Sequence, residues 1–319
     1  MAVVVRQMKV EDLEDVRRVD LLAWDDLVRR IYPEIPKTTS RTDANILSYL
    51  HTDGDGAVVA VDERAGIVGS SFSHIWGKTG WVGPLSVLPS YQGMGVGKML
   101  LKSSLRYLED RGCADIGLET LPEQASTLGL YLRVGLRPEG LVVVLGRSLE
   151  GHKPSPASAA VSIERFTDAR SKDLLLARAK EISNSLHPGL DFSVEVGVAD
   201  KFSFGDTLFA KYDGKACGFC ALHTVMRRAD MSGAAVRCIG VRPGYGEIVL
   251  EPLLSSAEDL AAEAGCPEIL VAVPANRRRA TDSILSRGYS VTQTLERMMW
   301  MGSSGLASGM GDNLCSWSG

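Results

Sequence analysis

Leu85-Ser-Val-Leu-Pro-Ser-Tyr-Gln-Gly-Met-Gly-Val-Gly-Lys-Met-Leu100 is the stretch on which the fold turns. Its front end predicts a strand, because Leu85 and Val87 are apolar at a spacing of two. Pro89 ends that strand, since proline has no N–H to give to a ladder. Gly93, Gly95 and Gly97 let the chain turn tightly. From Lys98 a helix is expected, with Met99, Leu100, Leu101, Leu105 and Leu108 at helical spacing. A glycine-rich turn that runs into a helix N-terminus is a place for an anion. Unpaired N–H groups and the positive end of the helix dipole converge there.

Two phosphate-binding patterns fail on this stretch. The dinucleotide fingerprint needs glycine at its sixth position, which holds Lys98 counted from Gly93 and Leu100 counted from Gly95. The nucleotide-hydrolase loop needs glycine five residues before Gly97 and Ser or Thr two residues after it, where Gln92 and Met99 stand. What fits is Gln92-x-x-Gly95-x-Gly97, preceded by Leu85-x-Val87-x-Pro89-x-Tyr91. This resembles the acetyl-coenzyme A pyrophosphate loop of the Gcn5-related N-acetyltransferases (GNAT). The run from Leu118 to Leu136 resembles that family's second signature, a strand and an Asn-led helix ending in Tyr-x-x-x-Gly-Phe. Tyr131 and Gly135 match it, while Gln124 stands where Asn is usual and Leu136 where Phe is usual.

The resemblance implies an α/β fold with a mixed, mostly antiparallel twisted sheet flanked by helices. It implies acetyl-coenzyme A as co-substrate. The backbone at Leu85, Ser86 and Val87 would hold the thioester carbonyl and pantetheine. The backbone amides of Gly93, Met94, Gly95, Val96, Gly97 and Lys98 would hold the pyrophosphate, with Gln92 also in the cofactor set. Gln124 and Tyr131 complete the cofactor set, and Tyr131 would protonate the leaving sulfur. Glu119 is the candidate general base, because a carboxylate mid-strand between Leu118 and Thr120 is out of place in a buried strand. Burial there would raise its pKa. A solvent-facing residue and an ion pair are the other readings of Glu119. His74, Asp53, Asp55 and a water chain remain as other sources of a base, since Trp81 to Pro84 carries no carboxylate.

The chain has 319 residues, a net charge of −4 and 45% hydrophobic residues, which suits a globular protein of two domains. This balance gives no electrostatic footprint for nucleic acid or an anionic membrane. No apolar run is long enough for a membrane helix, and the start Met-Ala-Val-Val-Val-Arg is no secretory signal. Six irregularly spaced cysteines point to reduced thiols, so a cytoplasmic protein is expected. Cys217-Gly-Phe-Cys220 has redox spacing but lies on an expected strand and reads as core. No metal is implied, and the oligomeric state is left open.

The second half repeats the first. Val241-x-Pro243-x-Tyr245 has the spacing of Val87-x-Pro89-x-Tyr91, and Gly265-Cys266 echoes Gly112-Cys113. Expected boundaries are 1–150 for an acetyltransferase-type domain, 151–160 for a linker, 161–301 for a second such domain and 302–319 for a flexible tail. The second copy has lost the glycines: Val249 and Glu251 stand where Gly95 and Gly97 stood, and Pro252 replaces Lys98. Glu247 and Glu251 would repel a pyrophosphate. The expectation is a catalytic first domain with a supporting second one. Together they would move an acetyl group to a primary amine of a small molecule, a protein N-terminus or a lysine. A non-catalytic acyl-coenzyme A sensor or scaffold is the alternative.

Overall fold

The structure is a computed structural model that describes residues 3–33, 38–156, 158–228, 232–300 and 312–315. Its first half runs β1 (Val3–Gln7), α1 (Leu13–Ile31), α2 (Asp43–Asp53), β2 (Val58–Asp62), β3 (Gly66–Trp76), β4 (Thr79–Val87), α3 (Val96–Asp110), β5 (Asp115–Thr120), α4 (Ala125–Val134) and β6 (Leu136–Ser148). Its second half repeats that order. It comprises β7 (Val161–Arg165), α5 (Lys172–Leu186), α6 (Ser193–Lys201), β8 (Gly205–Tyr212), β9 (Lys215–His223), β10 (Ala234–Val241), α7 (Gly246–Glu263), β11 (Glu268–Pro274), α8 (Arg278–Ser286) and β12 (Ser290–Trp300). A last strand, β13 (Asp312–Cys315), follows. Among the described residues, no helix is long and apolar enough to cross a membrane.

Local sequence explains most elements. In α3, Val96, Leu100, Leu101, Leu105 and Leu108 fall on one face and are buried. Gly112 then reverses the chain at φ 70°. The helix starts at Val96, two residues before the expected Lys98, with Gly95 as its N-cap at φ 88°. α1 runs as far as Ile31. Ion pairs Asp25–Arg29 and Asp26–Arg30 at the four-residue helical spacing carry it onward, and Val28 keeps its inner face buried.

The described strands form one thirteen-stranded sheet in the order β1-β2-β3-β4-β5-β12-β6-β11-β10-β9-β8-β7, with β13 added on β10. Among them, only β4–β5 and β10–β11 pair in parallel. The sequence repeat suggests two sheets, each closed by its own last strand. The structure instead exchanges those strands. β12 of the second half pairs with β5, β6 of the first half pairs with β11, and the two exchanged strands pair with each other.

The halves also share a core. Trp76 and Trp81 pack with Leu186, Phe192, Phe219 and Met299. Trp76 Nε1 donates to Glu195 Oε1 at 2.8 Å, and His187 Nε2 lies 2.6 Å from Asp115 Oδ2. The chain boundary at 151–160 is therefore not a boundary in the sheet. Within the expected tail, Asp312–Cys315 is an ordered strand with Leu314 buried, held by backbone pairing to β10. The rest of 302–319 lies outside the described residues.

Candidate active site

β4 and β5 pair only at Thr79–Trp81 with Asp115–Gly117 and then diverge. A bulge opens them: the register of β4 against β3 steps from Val82↔Ser73 to Leu85↔Ser71, three residues against two. His74 Nε2 donates to the Gly83 carbonyl at 2.7 Å and holds the bulge. Burial pushes the His74 pKa down to about 4, against the raising effect of that hydrogen bond, so the ring is neutral at pH 7. It thus serves the backbone of β4, and it does not line the opening.

The divergence opens a cavity of about 650 Å³. Leu85, Ser86 and Val87 line it from β4, Gly93, Gly95, Gly97 and Lys98 from the turn and α3, and Glu119 from β5. Gln92, Gln124 and Tyr131 face it as well. Two of the expected cofactor residues do not: Met94 is 58% exposed, and Val96 is buried with Leu100 in the core. Only their backbone can take part.

The turn has the geometry an anion needs. A side chain at Gly93 or Gly95 would meet nothing within 4 Å, so this edge is bare backbone facing open space. The N–H groups of Val96, Gly97 and Lys98 open α3 and have no acceptor within the helix. Gln92 Nε2 donates to the Val87 carbonyl at 3.1 Å and ties the turn to β4. Gly97 stands opposite α4, where a Cβ would lie 3.4 Å from Leu130. The residues present thus fit a pyrophosphate on the turn with a thioester arm running along β4.

Tyr131 is buried in the core with Leu118, Leu136 and Met298. Burial pushes its pKa up to about 12 despite a hydrogen bond with Thr120, so it keeps its proton at neutral pH. Glu119 has a partner that the sequence did not reveal. Arg297 of β12 reaches Glu119 Oε1 with Nη2 at 2.7 Å and Nε at 3.1 Å, and both side chains are buried. Of the readings open for Glu119, the ion pair is the one observed. The expected carboxylate isolated by burial is not what the structure contains. Burial works against the Arg297 charge, but Glu119 outweighs it and holds the guanidinium pKa up. Arg297 Nη2 also donates to the Cys315 carbonyl at 2.9 Å. Asp53 is bonded to the Ile75 N–H and Asp55 to Arg111, and neither lines the cavity.

Asp20, Arg41 and Arg227 also line the cavity and were missed in the sequence. Asp20 Oδ1 accepts from Arg41 Nε at 3.1 Å and from Ser86 Oγ at 3.3 Å, and Oδ2 accepts from Arg228 Nη2 at 2.6 Å. Burial opposes its charge, yet Arg41 and Arg228 hold its pKa below the ordinary carboxylate range. A signal existed, because Asp20 shares the buried face of α1 with Val16 and Val19. None existed for Arg228, which is 208 residues away along the chain.

The corresponding gap in the second half is closed. β10 pairs with β11 only over Ala234–Val236. Where they diverge, β13 takes the edge of β10 at Cys238–Val241 and packs against β11. Val249 is buried in the core, Glu247 pairs with Arg279 at 2.7 Å and Glu251 with Arg287 at 2.6 Å. An anion cradle is replaced by a helix-to-helix ion-pair seam between α7 and α8. Cys217 and Cys220 are buried free thiols, as core residues should be.

Comparison with known proteins agrees with this geometry. The family model "Acetyltransferase (GNAT) family" matches residues 21–136. A mycothiol acetyltransferase of Pseudarthrobacter chlorophenolicus is 26% identical over 138 residues, which cover 40% of this chain and 43% of that protein. The chain thus aligns with less than half the length of that relative. A provisionally assigned acetyltransferase from Pyrococcus horikoshii superimposes with a TM-score of 0.67 at 16% identity, covering 97% of this chain and 93% of the other. A tandem GNAT protein from the clavulanic acid biosynthesis pathway does so with a TM-score of 0.59 at 14% identity, covering 95% and 100%. At such identities the superpositions establish the fold, tandem arrangement included. The GNAT family uses acetyl-coenzyme A as its co-substrate, which fits the bare turn at Gly93 to Gly97. Through residues 21–136, this chain is similar to the acetyltransferase (GNAT) family.

Proposed function

We propose that the protein is an N-acetyltransferase that moves an acetyl group from acetyl-coenzyme A to a primary amine. The observation that supports this most is that one cavity collects the opened edge of β4, the anion turn and the phenol of Tyr131. Acetyl-coenzyme A would supply an activated acyl thioester. The N–H groups from Gly93 to Lys98 bind its pyrophosphate, and β4 at Leu85 to Val87 orients its arm. Tyr131, still a phenol at neutral pH, donates its proton to the sulfur as the C–S bond breaks. Glu119, fixed in place by Arg297, takes the proton that the nitrogen loses as the C–N bond forms. His74 is bonded to a backbone carbonyl and does not line the cavity, so it does not compete for that role. The second half acts as a wall of the first site, supplying Arg227, Gln293 and Leu295 to the cavity. The test is release of free coenzyme A thiol that depends on an added amine. Tight binding of acetyl-coenzyme A with no release for any amine would instead make the protein a sensor.

A further inference from the structure

The end of the cavity away from the glycine turn is built from parts far apart in the chain. α1 presents Asp20, Trp24, Leu27 and Arg30 to it, a stripe at helical spacing along one face. Leu121 enters directly after β5, and β12 of the second half brings Gln293 and Leu295. The whole cavity, at about 650 Å³, has the size of a small-molecule site.

The charged groups at this end are already engaged. Asp20 holds Arg41 at 3.1 Å and Arg228 at 2.6 Å. Arg30 pairs with Asp26 at 2.7 Å, Glu119 is taken by Arg297, and Arg227 has a partner as well. The apolar groups are placed differently. Leu27 packs against Leu121 and Leu295 in one cluster, and all three also line the cavity. α1, the end of β5 and β12 thus join in a continuous apolar patch. Trp24 lies on the same helical stripe, with the Arg228 guanidinium 5.1 Å from its ring centre.

A carboxylate or a second ammonium on the acceptor would lose its water here and would have to break an existing pair to gain a partner. Apolar surface laid on the patch leaves water at a gain. We infer that the acceptor is a primary amine on an uncharged apolar body, aromatic or branched aliphatic, which lies against Leu27, Leu121 and Leu295 beside Trp24 while the amine faces the thioester. This rests on the acetyltransferase reading and deepens it. It gives the second half a task in substrate choice, because Leu295 arrives on the exchanged strand β12.

The experiment compares amines at saturating acetyl-coenzyme A, reading thiol release. Phenethylamine and isoamylamine are set against ethanolamine, against phenylalanine, which adds a carboxylate, and against putrescine and a lysine peptide, which add positive charge. The apolar amines should win by roughly 10–100-fold in kcat/KM, the range for filling a hydrophobic pocket. The order of phenethylamine and isoamylamine tells an aromatic body from an aliphatic one. Leu27→Gln should remove most of the preference by raising KM for the apolar amine, and Leu27→Met should keep it. Leu295→Ala should shrink it from the second half, and it carries the test alone if Leu27→Gln does not fold. Calorimetric binding of acetyl-coenzyme A to each variant verifies that the fold is intact. Equal rates for phenethylamine and ethanolamine, a preference for any of the charged amines, or a preference undiminished in these folded variants would each overturn the inference. Failure of the acetyltransferase reading looks different: no thiol is released with any amine, and the inference falls with it.

Discussion

Replacing Tyr131 with Phe removes one oxygen and leaves the ring in its core of Leu118, Leu136 and Met298. Two magnitudes follow, and they differ enough to be separated. For stability, the loss is one hydrogen bond with Thr120, a net effect of about 1 kcal/mol. In a chain of this length that lowers the melting temperature by no more than a few degrees. For catalysis, a positioned proton donor contributes roughly 10²–10⁴-fold, which is about 3–5 kcal/mol of barrier. Burial holds the Tyr131 pKa at about 12. The wild type therefore keeps this donor across the usual assay range, and the deficit should be the same at about pH 6 and about pH 9. The assay is single-turnover thiol release, with calorimetry of acetyl-coenzyme A and a thermal melt on the same sample. An unchanged single-turnover rate in a well-folded variant would refute the donor role and leave Tyr131 as packing.

Gly95→Glu should abolish acetyl-coenzyme A binding, because it places a carboxylate on the bare turn at a φ of 88° that favours glycine; unchanged affinity by calorimetry would sink the cofactor assignment. The same titration of the wild type should give one site per chain, since β13 closes the second gap, and two sites would contradict that. Glu119→Gln should lose most activity near pH 7 and recover part of it at high pH, where the amine is already deprotonated; a wild-type pH profile would move the base elsewhere. Arg297→Met leaves the buried Glu119 carboxylate without its guanidinium and should destabilise by about 3–5 kcal/mol, so a urea midpoint close to wild type would refute the pairing. His74, whose folded pKa of about 4 lies below its unfolded value of 6.5, binds a proton more readily when unfolded. Its contribution is full above about pH 6.5 and is lost as pH falls towards 4, at most about 3 kcal/mol; His74→Asn should flatten that part of the stability curve.

Much of the site was legible because it is local. The turn from Leu85 to Leu100 carries its own instructions in glycine, proline and apolar spacing, and the structure puts Leu85 to Val87, the glycines, Gln124 and Tyr131 around one cavity. Met94 and Val96 are expected there through their backbone amides alone, and where their side chains go depends on what packs behind the turn. The partner of Glu119 was hidden for a stronger reason. Arg297 lies 178 residues further on, and no periodicity links the two.

By itself the sequence determined the order of elements, the repeat and the lost glycines of its second copy, since these depend on backbone conformation and short-range spacing. Only the tertiary structure decided which strand closes which half. β6 and β12 end equivalent repeats, and either could complete the edge beside β5 or β11. Register and edge choice are settled by the faces that the whole sheet buries, and here they exchange the two strands. That exchange brings Arg297 to Glu119 and Gln293 and Leu295 to the cavity. It also leaves an edge of β10 for β13, so a site encoded in the first half is completed by the second through contacts that no local pattern specifies.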